Sequence, residues 1–288
     1  GFSSLYAYSS ARDIGYVVLL NSTHSADAMR RISQLAVRYL KADVEPPARP
    51  RTGLTAEALR QFEGYYHKAN PRDQSAAFLE WLVSGGRVVT TATGLRVEPM
   101  FGNGEDLIPV ADTLFRLETD AEATRVFAHD DRGTMVLTGG LMYSERRARW
   151  PVEIVRWPVL LSFALALTPV VMLVPWAFHA RRAAPSGFWW TKSTLVLACA
   201  GVLLIVLGIM NVSDRSLGTQ NVWTAAIFVG SLLLPAAAVM ALLFSLDAWR
   251  RGAGPWLRAY ALTVSACALL LSGYLACWGM LAFRSWSV

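Results

Sequence analysis

The first 150 residues contain no cysteine, and the whole chain holds only three, Cys199, Cys267 and Cys277. A half without cysteine is neither a disulfide scaffold nor a thiolate metal site, and it suits an oxidising compartment. Lysine is as scarce, with Lys41, Lys68 and Lys192 alone. Three positions before them stand Arg38, Tyr65 and Trp189, so no Ser-x-x-Lys pair exists to activate a serine through a lysine. The four histidines, His24, His67, His129 and His179, show no metal-ligand spacing with carboxylates or thiols. A basic excess is also missing from the first half. Residues 1–150 hold 18 Lys+Arg and 18 Asp+Glu, while residues 151–288 hold 9 and 3 and supply all of the net +6 charge. Phosphate binding needs clustered cations, so nucleic acid is not an expected partner. No cofactor is expected.

Long charge-free runs are abundant. Trp157–Phe178, Ser193–Ser213, Ser216–Leu246 and Ala259–Phe283 carry no charged side chain. Each is at least as long as the ~20 apolar residues that a helix needs to cross a bilayer. All three cysteines fall inside them. A single such run could be a buried helix of a soluble protein, but four in succession describe a membrane bundle. Away from their ends the runs hold no acid, base or histidine, the groups that proton and ion pathways place at depth. Pro169, Pro175 and Pro235 read as kinks, and Ala237 and Ala241 as a small-xxx-small contact. The bundle therefore reads as an anchor in contact with the lipid bilayer.

Loop charges orient it. Arg181, Arg182 and Lys192 separate the first two runs, and Arg250, Arg251 and Arg258 separate the last two. The middle loop offers only Asp214 and Arg215, and the end only Arg284. The positive-inside rule places the first and third loops in the cytoplasm and the soluble half outside, despite Arg146, Arg147, Arg149 and Arg156. Trp157, Trp189, Trp190, Trp223, Trp249 and Trp256 lie at run ends, as an interfacial belt requires.

The soluble half divides at Pro46-Pro47-Ala48-Arg49-Pro50-Arg51, a stiff extended linker. Before it, Phe2–Ser9 and Ile14–Asn21 read as a hairpin turning at residues 10–13. In the second strand Ile14, Tyr16, Val18 and Leu20 face one way and Val17 and Leu19 the other, so cover is expected on both sides. Ser25 can cap a helix to about Lys41, with Met29, Ile32, Leu35, Ala36, Tyr39 and Leu40 on one face. Two strands and one helix cannot bury that much apolar surface alone, so the unit is expected to be the tail of a larger α/β domain. The absence of an initiator Met and of an export signal before Gly1 fits a longer parent protein.

After the linker, Thr55–Phe62 reads as a short helix. Strands are expected at Ala77–Val83, Arg87–Thr93, Leu95–Met100, Thr113–Glu118, Thr124–Ala128 and Thr134–Tyr143, a spacing that suits a small antiparallel barrel or sheet. Chemistry is thin. Ser3 stands in an elbow-like Gly1-Phe2-Ser3-Ser4-Leu5, but Leu replaces the second Gly and a strand follows, so it is not expected to be a nucleophile. His129-Asp130-Asp131 before Arg132-Gly133, and Gly102-Asn103-Gly104-Glu105-Asp106, read as turns rather than ion sites. Tyr65-Tyr66 beside His67 could stack on a ligand, but barrel core is the plainer reading.

Gly1-Phe2-Ser3-Ser4, the run Tyr16-Val17-Val18-Leu19-Leu20-Asn21 and the helix to Lys41 resemble the end of a known domain. It is the serine β-lactamase/penicillin-binding-protein-like fold, in its class C β-lactamase-related branch. Phe62-Glu63-Gly64-Tyr65-Tyr66 is similar to the Tyr-x-Gly-x-Tyr opening of a lipocalin-like β-domain often appended to such hydrolases, with Phe at the first place. Some members also end in membrane spans. The family's Ser-x-x-Lys, Tyr-x-Asn and Lys-Thr-Gly or His-x-Gly motifs are absent, so the resemblance assigns no catalytic residue; Gly1 and Asn21 match as structural positions.

The expected architecture is a multidomain membrane protein. Residues 1–43 are a hydrolase-domain tail, 44–54 the linker, 55–145 a lipocalin-like β-domain and 146–288 a four-helix transmembrane domain. The resemblance implies the C-terminal portion of a serine hydrolase of the bacterial inner membrane with its soluble half periplasmic. The parent would cleave an amide or ester through an acyl-serine, the substrate a small molecule or peptide. Its catalytic portion would be this chain's missing partner. The other reading is a non-enzymatic envelope receptor or accessory protein whose β-domain is a binding module.

Overall fold

The computed structural model describes residues 3–9, 13–21, 26–40, 51–71, 76–120, 122–139, 142–182, 188–212 and 218–284. The turn at 10–12, the Ser25 cap, His24 and most of the proline linker lie outside them. The chain forms two units, Gly1–Pro50 and Arg51–Val288.

In the first unit β1 (Ser3–Ser9) and β2 (Ile14–Leu20) make an antiparallel pair in which Ser3 faces Leu20 and Ser9 faces Ile14. Helix α1 (Ala26–Leu40) packs on one side of it, and the Tyr16 hydroxyl meets Ser33 Oγ at 2.6 Å. Val18 is buried there, with Ile14, Tyr16 and Leu20 half-buried. The opposite side is bare: Tyr6 is 81% exposed, Tyr8 63%, Val17 65% and Leu19 74%. The apolar stripe expected on the helix also divides. Met29, Ala36 and Leu40 turn inward with Ser33 and Val37, while Ile32, Leu35 and Tyr39 remain exposed. Two short strands are too narrow to cover a stripe that wide.

The second unit opens on α2 (Ala56–Arg60), whose first turn is capped by Thr55 Oγ accepting from the Ala58 N–H at 3.2 Å. Eight strands then close a barrel: β3 (Gly64–Lys68), β4 (Gly86–Thr90), β5 (Leu95–Pro99), β6 (Glu105–Pro109), β7 (Leu114–Leu117), β8 (Arg125–His129), β9 (Met135–Gly139) and β10 (Met142–Arg147). Each pairs antiparallel with the next, and β10 returns to β3 with Arg147 opposite Tyr65, so no barrel edge is left open. Alternate residues point inward. Tyr66, Val88, Leu95, Leu107, Phe115, Phe127, Met135 and Leu137 fill the interior together with Phe62 from the turn after α2. The rings of Phe62, Phe115 and Phe127 meet at 4.7–5.5 Å between centroids, so the barrel is packed rather than hollow.

Four local expectations are corrected. Ala77–Val83 is a helix, α3, because its outward neighbour is the membrane bundle and the four-residue spacing of Phe78 and Leu82 suits that contact. Thr134–Tyr143 breaks into β9 and β10. Glu105 and Asp106, expected in a turn, begin β6, while β3 lies where no strand was expected.

Four long helices follow: α4 (Arg149–Arg182), α5 (Trp189–Asn211), α6 (Val222–Arg250) and α7 (Pro255–Cys277). Each is long and apolar enough to cross a membrane. Neighbours run antiparallel, as Thr191 at the start of α5 donates to the Phe244 carbonyl late in α6 at 3.1 Å, and Gly208 late in α5 lies against Trp223 and Ile227 early in α6. Helices α5 and α6 touch through backbone: a Cβ on Gly201 would stand 2.8 Å from Leu234 N, and one on Gly230 2.7 Å from Gly201 O. Ala237 and Ala241 are buried, as their spacing implied. Buried hydroxyls donate back along their own helices, Ser265 to Ala261 at 2.7 Å and Ser272 to Ala268 at 2.8 Å, which leaves no polar group facing hydrocarbon unpaired there.

Candidate functional site

The strongest concentration of buried polar chemistry lies where the barrel meets the bundle. Strand β3 reads Gly64-Tyr65-Tyr66-His67-Lys68, and its alternation sends Tyr66 inward and Tyr65 and His67 out through the wall. The Tyr66 hydroxyl donates to the Phe62 carbonyl at 2.9 Å, and burial pushes its pKa up to about 12. Tyr66 is thus barrel core, as the sequence suggested, whereas Tyr65 and His67 belong to the junction.

His67 is 1% exposed. Its Nε2 donates to the Trp81 carbonyl on α3 at 3.0 Å and lies 3.3 Å from Ser84 Oγ, and its ring packs 5.2 Å from that of Trp81. Burial holds the imidazole pKa below its ordinary value, and the charge of Arg156 adds to this.

Arg156, in the second turn of α4, is fully buried. Its Nη2 donates to Tyr65 Oη at 3.1 Å and to the Ser84 carbonyl at 2.5 Å, and its Nη1 to Glu153 Oε1 at 3.4 Å. Arg149 Nε shares the same Glu153 oxygen at 3.1 Å. Arg156 Nε and Glu153 Oε2 make no hydrogen bond. The close approach needs a glycine: Gly85 has φ +104°, and a Cβ there would overlap Tyr65 Oη. Next to this seam the Tyr274 hydroxyl of α7 donates to the Phe78 carbonyl at 2.6 Å, while Phe78 and Leu82 enter the bundle core. Barrel and bundle are thereby one packed body.

This geometry ties α4, β3 and the residue after α3 together. The guanidinium has no solvent access and is set between a phenol, a carbonyl and one carboxylate, while the His67 nitrogen nearest the Ser84 hydroxyl already donates to the Trp81 carbonyl and so is not placed to take its proton. The sequence pointed to Arg156 only as a topology signal. Its nearest clue is Glu153 three residues earlier on the same helical face.

The other candidates are placed as follows. Ser3 begins the paired strand β1 and is not on a strand-to-helix elbow. Glu105 pairs with Arg125 at 3.3 Å, and Asp106 accepts both contacts of Arg96 Nη1 at 3.0 and 3.1 Å, so both carboxylates serve arginines. Asp130 Oδ1 accepts from the Arg132 and Thr134 N–H groups at 2.9 and 2.7 Å in a turn closed by Gly133 at φ +73°. Among the described residues no three His, Cys, Asp or Glu converge as metal ligands.

No family model, no curated protein and no solved structure matches this chain. Its fold still defines a class: a multi-pass membrane protein bearing a closed eight-stranded antiparallel barrel on a four-helix bundle.

Proposed function

We propose that the chain is the C-terminal portion of a membrane-anchored, β-lactamase-related serine hydrolase of the bacterial inner membrane, with its barrel on the periplasmic side. Residues 3–40 would complete the sheet and cover of a catalytic domain whose nucleophile lies outside this chain. The bundle would anchor that domain to the membrane. The parent reaction is acyl transfer to serine, followed by hydrolysis of an amide or ester.

The observation that carries this reading is the bare face of the first unit. Tyr6, Tyr8, Val17 and Leu19 form a contiguous apolar surface on a two-stranded sheet, which a soluble unit keeps only for a partner. The resemblance of Phe2–Asn21 and the helix after it supplies the kind of partner, a β-lactamase-like sheet. The arginines at the barrel-distal ends of the helices, Arg250, Arg251 and Arg258 among them, support the orientation.

The test uses the native gene product in its own membranes. An antibody against the barrel should detect a protein larger than the 31.6 kDa of this chain, and that protein should take up a fluorophosphonate or penicillin label. A native product of 31.6 kDa that takes no label would overturn the hydrolase reading and leave the receptor or accessory reading.

A further inference from the structure

A cavity of about 260 Å³ lies at the barrel-proximal end of the bundle, and its lining is entirely apolar. Helix α3 roofs it with Phe78, Leu79 and Leu82. All four bundle helices wall it, with Val159 from α4, Ile205 from α5, Leu234 from α6 and Leu271 from α7. Water gains nothing there, since a buried water needs polar partners. An empty space of this size would deprive its lining of dispersion contacts, and packed interiors close such gaps where they can.

This one is held open from two sides. Helices α5 and α6 are locked backbone to backbone at Gly201 and Gly230 and cannot shift inward. The roof is pinned by the Tyr274–Phe78 hydrogen bond and by the Arg156 clamp on Ser84, directly after α3. On the remaining side Val159 and Leu160 of α4, directly after Pro158, line the cavity. Leu79, Phe163 and Met210 both line it and lie exposed on the protein's surface, so the cavity opens sideways towards lipid.

We infer that this cavity is a binding site for one acyl chain of a membrane phospholipid, which enters from the leaflet on the barrel side and ends beneath α3. A hydrocarbon chain matches the lining without leaving any polar atom unpaired. The bilayer at the rim supplies it at high local concentration. The headgroup stays at the interface, beside the exposed residues of the rim and the polar start of α4. The bound chain completes the packing that joins α3 to the bundle. The site does not depend on the hydrolase reading.

The full chain should be reconstituted in vesicles of phosphatidylethanolamine and phosphatidylglycerol doped with a phosphatidylcholine carrying a diazirine near the end of one acyl chain. After illumination, label is mapped by mass spectrometry. Bulk lipid reaches Val239 and Leu243, which face outward on α6. It does not reach Ile205 or Leu271, which are buried and line the cavity. The expected result is label at Ile205 and Leu271 comparable with that at Val239 and Leu243. Val206→Trp, which fills the cavity, should remove label at the first pair several-fold and leave the second unchanged. Background label at Ile205 and Leu271 in the wild-type protein overturns the inference, and this comparison decides alone if the tryptophan variant does not assemble. Displacement by free oleic acid but not by unlabelled phospholipid also overturns it, by making a free fatty acid the occupant.

Discussion

The guanidinium of Arg156 on α4 donates to the phenol oxygen of Tyr65 on β3 across 3.1 Å, joining residues 91 positions apart. The same nitrogen holds the Ser84 carbonyl, so one side chain ties the first bundle helix to a barrel strand and to the loop after α3. A charge this deeply buried is tolerable only because its partners are preformed. Removing it should leave the Tyr65 and Ser84 oxygens without their donor and Glu153 held by Arg149 alone. Arg156→Ala is therefore expected to cost about 3–5 kcal/mol of stability, read as urea or thermal unfolding in detergent. Arg156→Lys should recover only part of this, because an ammonium cannot span the same fork of acceptors. Equal stability of Arg156→Ala and wild type would remove the clamp from the account.

His67 gives the junction a pH dependence of known sign. Its folded pKa lies below the unfolded value of 6.5, so below that value the unfolded chain takes up a proton that the folded chain resists. Stability contributed here is present above the unfolded pKa and falls as pH drops through 6.5 towards the folded value. The melting temperature of the wild-type chain should decline between about pH 7.5 and pH 5. His67→Gln, which keeps a donor for the Trp81 carbonyl, should flatten that decline. An unchanged slope in the variant would place the titration elsewhere.

Gly85 is expected to tolerate no side chain. Its φ of +104° is unfavourable for any other residue, and a Cβ would overlap Tyr65 Oη. Gly85→Ala should destabilise by more than about 1 kcal/mol. Gly102, also at positive φ but with open space around it, should lose less on the same substitution. Paired melting curves of the two alanine variants check the difference.

Membrane orientation is open to direct test. A reporter fused after Gly252, beside Arg250 and Arg251, should read as cytoplasmic, and one after Gly218 as periplasmic. The opposite pattern would mean that Arg146, Arg147, Arg149 and Arg156 determine topology. Two of these already have other work in the fold, since Arg156 is clamped inside the junction and Arg146 donates to the Gln61 carbonyl at 2.9 Å.

The bundle was legible in the sequence because membrane solubility is written residue by residue: every side chain of a span must suit hydrocarbon. Most barrel strands were legible from their turns and alternation. Helix α3 was not, since seven residues such as Ala77–Val83 are too short for periodicity to separate helix from strand, and the surface that decides lies on α7, nearly 200 positions away. Strand β6 was masked by Glu105 and Asp106, whose charges suit a turn until Arg125 and Arg96 stand beside them. The junction could not be read at all. Tyr65, Ser84 and Arg156 are unremarkable apart, and only closure of β10 onto β3 brings α4 alongside them. The stripe of α1 was read too broadly, because periodicity gives its width and not the width of the sheet that meets it.

Arg51–Val288 closes its own core, whereas residues 3–40 are proposed to need a larger domain. Limited proteolysis of the purified chain in detergent tests both parts. Cleavage should enter at Pro46–Thr52, residues 3–40 should be degraded, and one fragment holding barrel and bundle together should persist. Survival of residues 3–40 to the same protease level as the barrel would contradict the account, because a unit with Tyr6, Tyr8, Val17 and Leu19 bare would then be stable without a partner.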